Sequence, residues 1–468
     1  MPNKSFFLFS NFKIYALITC VSVVTLILLI ANPSYFSHDE LQKYDHVSRY
    51  GFVHYFSSYV RLYQGDDFST PVRPFSFFIQ GMLALFMENY PLLVHLFAVL
   101  VHAIVACLLF ALAIQFGANA MFAVIMAFAF IINPLAVFAT GWSAALMDQW
   151  YILFGLLTLI YADRYVRKEQ SVYLLFAVFI FSTLAMLSKE TALVLPGLMV
   201  IIFFLKPDVL KTKRYWLALG VWVAPCILFM IYRLPALINS FGHPTVSAYA
   251  VSINDVPNNL LVYLAYPFLY TLTEAGNWIS FDPIWIWSSL ALHLCLVLCL
   301  AHLYGYKVFI IYCFLYLLFL APVLLIPMKG AHYLYGSSIA ISFAIAALIY
   351  QKGSAYFGFK LVGIASLLIL IVHSVIIQVH IYSTGVCMHR ALISTEALFL
   401  SQDNPQAIDF QVEPGAPEHV LQRIITGREQ VGVWYPIKMN ISKWGQKGVE
   451  GALNLTMNNK CIVTYKQP

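Results

Sequence analysis

The residues of this chain best suited to chemistry gather in one polar interval, Ser37 to Pro74, which begins Ser-His-Asp-Glu and ends Val-Arg-Pro. It holds Asp39, Glu40, Asp45, Asp66 and Asp67 alongside Lys43, Arg49, Arg61 and Arg73, in a chain whose charged residues amount to only 10%. A positioned carboxylate can take a proton from a hydroxyl, and an arginine or lysine can hold a phosphate through charge-assisted hydrogen bonds. Acids and cations just past the end of an apolar run therefore suggest chemistry at a membrane surface. The plainer reading is a solvated loop in which Asp39 caps a helix.

The elements that must position these groups are membrane helices. The 468 residues are 61% hydrophobic with a mean hydropathy of +0.79, far more apolar than a soluble domain. Apolar runs long enough to cross a ~30 Å hydrocarbon core recur along the chain, so the expected fold class is an all-α polytopic bundle. Eleven spans are expected near 14–31, 91–116, 121–138, 142–162, 172–187, 191–205, 215–232, 283–303, 308–326, 334–350 and 361–381. The first, following Lys4 and Lys13, is expected to act as a signal anchor with the amino terminus in the cytoplasm. Leu260–Leu272 is too short to span and is expected to be interfacial or re-entrant.

Basic connectors fix the orientation. Arg164, Arg167 and Lys168 follow one span, and Lys206, Lys211, Lys213 and Arg214 follow another, as cytoplasmic loops should. The opposite connectors are then external: a loop over 32–90, the stretch Asn133–Gln149, Ser188–Thr191, and Met328–Tyr335. Residues 1–381 form the expected transmembrane catalytic module, and 382–468 an external domain whose Cys387 and Cys461 are placed to allow a disulfide. The net charge of +6 is small, and the surplus lies mostly in short loops, which gives no reason to invoke nucleic acid.

The external face offers further candidates. Arg73, Lys189, Arg233 and His332 could contact a lipid phosphate, with Tyr333 and Tyr335 beside them. Lys189 and Glu190 could equally form a structural ion pair, Arg233 could snorkel, and the tyrosines could be belt aromatics. His102 and Asp148 lie in or beside spans, where an ionisable group is a functional candidate, although a hydrogen-bonded core histidine fits His102 as well.

Several short motifs occur in a telling order: Asp39-Glu40, Arg73-Pro74-Phe75, His95 to His102, Asn133-Pro134 with Gly141-Trp142, Ser188-Lys189-Glu190 with Pro196, and His332-Tyr333-Leu334-Tyr335. The set, over about residues 30–345, resembles GT-C membrane glycosyltransferases, in particular the protein O-mannosyltransferase branch and its relatives. The general organisation also resembles bacterial and phage O-antigen glucosyltransferases. The chain departs from the pattern at His332, where those relatives carry arginine, and at Gly336-Ser337-Ser338. The resemblance implies inverting transfer of a hexose from a polyprenyl-phosphate donor to a surface glycan or protein on the periplasmic face of a bacterial inner membrane. It also implies that the first acid of the pair, Asp39, is the general base, with Glu40 as the rival. A phosphate leaving group needs no general acid, and the external loops lack a compact Asp-x-Asp motif, so no metal or other cofactor is expected. The competing classes are a polysaccharide polymerase or ligase and a lipid-linked sugar flippase. A flippase would place its charges near the bilayer midplane and often shows an internal repeat.

Overall fold

The computed structural model describes residues 12–62, 72–167, 170–205, 207–242, 252–268, 283–326, 329–351, 353, 356–400, 407–431, 438–442, 444–445 and 452–465. Asp66, Asp67, Lys168, Lys206, Met328 and the end of Leu260–Leu272 lie outside them.

In chain order the helices are α1 (Phe12–Thr25), α2 (Ile27–Ile30), α3 (His38–Leu62), α4 (Pro74–Met87), α5 (Pro91–Gln115), α6 (Ala120–Ile131), α7 (Pro134–Gly141), α8 (Leu146–Arg167) and α9 (Val172–Ser188). A 3-10 stretch, Glu190–Leu198, leads into α10 (Met199–Leu205), followed by α11 (Lys213–Gly242), α12 (Val256–Ala265), α13 (Pro283–Tyr304), α14 (Tyr306–Leu324), α15 (Ser338–Ile349) and α16 (Phe357–Leu400). Among the described residues six helices are long and apolar enough to cross a bilayer, and α6 with α7, bent by 52°, makes a seventh. The chain is a multi-pass membrane protein. At that bend Asn133 caps α7 by accepting from Leu135 N–H at 3.2 Å, and Pro134 opens the helix.

The other four expected spans are shorter helices: α1, α9, Glu190–Leu205 and α15. For Glu190–Leu205 the shortfall is one of residues more than of length. A 3-10 helix rises about 2.0 Å per residue against about 1.5 Å in an α-helix, so nine 3-10 and seven α residues cover roughly 28 Å. α12 is ten residues long, too short by itself to cross.

The described part of the interval after the first apolar run, up to Leu62, is helical. α3 carries it, broken at Gly51, whose φ of 79° favours glycine. The change to soluble composition at Tyr382 falls inside α16, which runs unbroken for 44 residues to Leu400. Hydropathy drops there, but Ala391, Leu392, Glu396, Ala397 and Leu398 are good helix formers, so the helix continues beyond the apolar run.

The C-terminal fold holds β1 (Ala407–Val412), α17 (Glu418–Val431), β2 (Lys438–Ser442), β3 (Leu453–Met457) and β4 (Val463–Tyr465). The strand order is β2-β1-β3-β4, with β1 parallel to both neighbours and β4 antiparallel to β3. β1–α17–β2 is thus a crossover unit with its central strand buried. Phe410, Leu421 and Ile424 share a buried cluster with Leu41 of α3 and Met87 of α4, so this fold packs onto the polar interval. A disulfide joins Cys387 of α16 to Cys461 across 74 residues. Closing a loop of that size stabilises by about 4 kcal/mol in the chain-entropy picture.

Candidate active site

The two acids at the start of α3 have different surroundings. Glu40 is 4% exposed, and its Oε2 accepts from Phe36 N–H at 2.6 Å and Ser37 N–H at 3.0 Å. Its Oε1 accepts from Ser143 N–H at 2.5 Å, across to the start of α8. With Asp39 N–H donating to Ser37 Oγ at 3.3 Å, this is a capping box, Ser-x-x-Glu. Asp39 keeps 37% of its side chain exposed and lies 3.2 Å from His38 Nε2. Lys43 stands one turn further along α3. Burial pushes its ammonium below the usual lysine range, Asp39 and Glu40 pull it back up, and Arg73 lowers it again. Those charges are therefore within electrostatic reach of one another.

A second polar group forms where α4, α8 and the Ser188–Thr191 connector meet. Arg73 precedes α4. Its Nε donates to Glu190 Oε2 at 2.7 Å and its Nη1 to Met147 Sδ, while Glu190 Oε1 accepts from Val72 N–H at 2.6 Å. Ser76 Oγ donates to the Ser188 carbonyl at 2.8 Å and Gln80 Nε2 to the Ala144 carbonyl at 3.0 Å, which ties α4 to both connectors. Lys189, 2% exposed, pairs with the equally buried Asp148, and its Nζ lies 4.9 Å from the centre of the Tyr333 ring. In place of the alternative pairing of Lys189 with its neighbour Glu190 there are two cross-element pairs, Lys189–Asp148 and Arg73–Glu190. Adjacent residues at the end of α9 point to different partners.

His332 is buried between the rings of Trp142 at 4.8 Å and Tyr333 at 4.1 Å. Burial, with Lys189 and Arg73 adding, holds its imidazole well below the ordinary histidine range, and its Nδ1 has no hydrogen-bond partner among the described residues. Trp142 is the link between the two groups. Its ring packs on His332, and its Nε1 donates to Ser37 Oγ at 2.8 Å, the residue that caps the Asp39 helix.

His102 and Tyr335 lie deeper and face each other, His102 Nδ1 at 2.9 Å from the Tyr335 hydroxyl and Nε2 at 3.3 Å from the Ile131 carbonyl. Both are fully buried, so their visible work is to pin α5, α6 and the 331–335 turn together. Arg233 is buried on α11 one turn past Phe229, which packs with Val72 and Phe77. It therefore lies on the side of the bundle that carries Arg73.

A narrow cleft lies between α3 and α4, lined by Glu40, Lys43, Tyr44, Gln80 and Ser143 among others. A separate apolar cavity of about 500 Å³ is lined by Leu109 of α5, Leu159 of α8, Leu315 of α14 and Phe343 of α15. Among the described residues no group of three or more His, Cys, Asp or Glu side chains is placed to hold a metal ion.

Two residues of this site have no role assigned from the sequence. Lys43 carries a local signal, its place one turn after Asp39 on a helical pattern. Arg423 of α17, whose Nη1 donates to the Phe36 carbonyl at 2.7 Å, has none, because it reaches the acidic turn from a distant part of the chain.

No family model matches the chain, and no curated protein matches it. Among solved structures, that of ArnT from Cupriavidus metallidurans bound to undecaprenyl phosphate is similar at a TM-score of 0.47 and 12% identity, over 91% of this chain and 85% of that one.

Proposed function

We propose that this protein is a membrane glycosyltransferase that moves a sugar, a hexose in the first instance, from a polyprenyl-phosphate donor to an acceptor on the external, periplasmic face of a bacterial inner membrane. The acceptor we favour is a surface polysaccharide such as O-antigen. The observation that carries the reading is the Trp142–Ser143 bridge, which joins the helix bearing Asp39 to the turn bearing His332 and, through Tyr333, to Lys189.

In this reading Asp39 is the general base. Glu40 has its carboxylate committed to three backbone N–H groups, whereas Asp39 is partly exposed and can meet an acceptor hydroxyl. Arg73, Lys189, Lys43 and the neutral His332 supply donors for the phosphate, with Tyr333 beside them and Arg233 on the same side. Glu190 and Asp148 hold the two cations Arg73 and Lys189 in place, and His102 and Tyr335 support the turn from below. Phosphate departs as a stabilised anion, so transfer is expected without a divalent metal, and activity retained in excess chelator checks that point.

The experiment is turnover at limiting donor in purified variants. Arg73→Ala removes a charge-assisted contact worth about 1.5 to 3 kcal/mol, a loss of roughly ten- to a hundredfold. Lys189→Ala alone strands Asp148 in a buried site, which costs about 3 to 5 kcal/mol of stability and confuses folding with function. The double variant Lys189→Met with Asp148→Asn removes that penalty. It is expected to fold and still lose donor use. Wild-type donor dependence in both Arg73→Ala and the double variant would contradict the assignment.

A further inference from the structure

A groove of about 520 Å³ lies between α16 and the C-terminal fold, and no Asp or Glu is among the described residues that line it. Its cations are Arg390 and Lys460, with His380 and His419 beside them. The chain segments that carry them are tied together. Arg390 lies one turn after Cys387, Lys460 directly precedes Cys461, those cysteines are bonded, and Arg390 Nη1 donates to the Lys460 carbonyl at 3.5 Å. The turn that carries Lys460 is braced as well, since Asn458 Oδ1 accepts from Lys460 and Ile462 N–H at 3.0 Å each. Arg390 and Lys460 line one groove with no acid among its described residues, and an oxyanion held there gains charge-assisted hydrogen bonds.

The position of the groove bears on its use. The His380 ring lies 5.8 Å from that of Phe36, whose N–H donates to Glu40, so the groove adjoins the turn that carries Asp39. Tyr382, Thr384 and Asn459 add hydroxyl and amide groups of the kind that hold sugars.

We propose that this groove is an acceptor subsite that binds an oxyanion, phosphate or carboxylate, carried on a saccharide. The proposal rests on the glycosyltransferase reading and narrows its acceptor to an acidic glycan. The same chemistry could come from an anionic lipid headgroup, and the experiment separates the two sources.

Full-length protein in nanodiscs of zwitterionic phosphatidylcholine is titrated with fluorescent tetragalacturonate, and with maltotetraose as the neutral counterpart. Wild type is expected to bind the acidic probe, more weakly as salt rises, and to ignore the neutral one. Arg390→Glu with Lys460→Glu is expected to weaken binding about tenfold or more, and the Cys387–Cys461 bond, read by free-thiol count, reports that the variant is folded. Arg390→Gln alone gives a milder loss should the double variant fail to fold. If tetragalacturonate does not bind, but phosphatidylglycerol nanodiscs stabilise wild type and not the variants, the saccharide assignment is overturned in favour of a lipid headgroup. Equal binding of either probe class to wild type and variants overturns the site altogether. Sugar release from a polyprenyl-phosphate donor, measured on the same preparations, reports the transferase reading separately.

Discussion

Two adjacent acids make the residue-scale case, because Asp39 and Glu40 carry the same charge and yet have different work. Glu40 accepts three backbone N–H bonds, so Glu40→Gln replaces an acceptor oxygen with an amide that faces donors. The expected result is a loss of about 1 to 3 kcal/mol in stability, seen as a lower Tm in detergent. An unchanged Tm would contradict the capping role. The local half of that role is legible in the chain, since Ser37-x-x-Glu40 ahead of a helical pattern spells a capping box. The other half is not, because Ser143 takes up the second oxygen from another helix, a hundred residues away. His332 makes a pH-dependent prediction. Its folded form resists protonation, while in the unfolded chain it takes a proton near pH 6.5. Below that value the unfolded state binds the extra proton, so the stability contributed by neutral His332 is present above about pH 6.5 and lost as the pH falls. The Tm should drop between about pH 7.5 and 5.5, and His332→Gln should drop less. An equal drop in both proteins would remove His332 from the account.

Close approaches set the geometry at the scale of elements. A Cβ on Gly385 of α16 would lie 1.8 Å from Asn32 Oδ1, and one on Gly427 of α17 would lie 3.2 Å from the His38 carbonyl. The first glycine lets α16 press on the entry to the acidic turn, and the second lets the C-terminal fold press on α3. Gly385→Val should overpack that contact and cost about 1 to 3 kcal/mol, measurable as reduced Tm with the disulfide intact. No change would mean that α16 has slack against Asn32. Helix positions are legible in the sequence because apolar runs of spanning length are a strong signal. Their lengths are less so, since the 3-10 stretch Glu190–Leu198, with Pro196 inside it, covers depth with fewer residues. The end of α16 escapes a hydropathy reading because hydropathy reports where lipid stops, and helix propensity continues past that point. The crossover unit of the tail is hidden too, its strands being short and joined by contacts that no local pattern encodes.

For the whole molecule the account requires one polar face. Single cysteines introduced on a background lacking the free thiols test this at Lys211 and Gln422, both exposed. A membrane-impermeant reagent should reach position 422 in intact cells and position 211 only after permeabilisation. The reverse pattern would invert the topology and place Asp39 in the cytoplasm. The two polar groups and the C-terminal fold then converge on that face, the one to which the proposed base and acceptor are assigned. The most direct test is turnover of a radiolabelled polyprenyl-phosphate hexose by purified wild type and Asp39→Asn, with donor binding measured in parallel. The account predicts that the asparagine variant loses about 10² to 10⁴ in transfer while binding donor normally, because it keeps its shape but cannot accept the proton. Near-wild-type transfer by folded Asp39→Asn would contradict it.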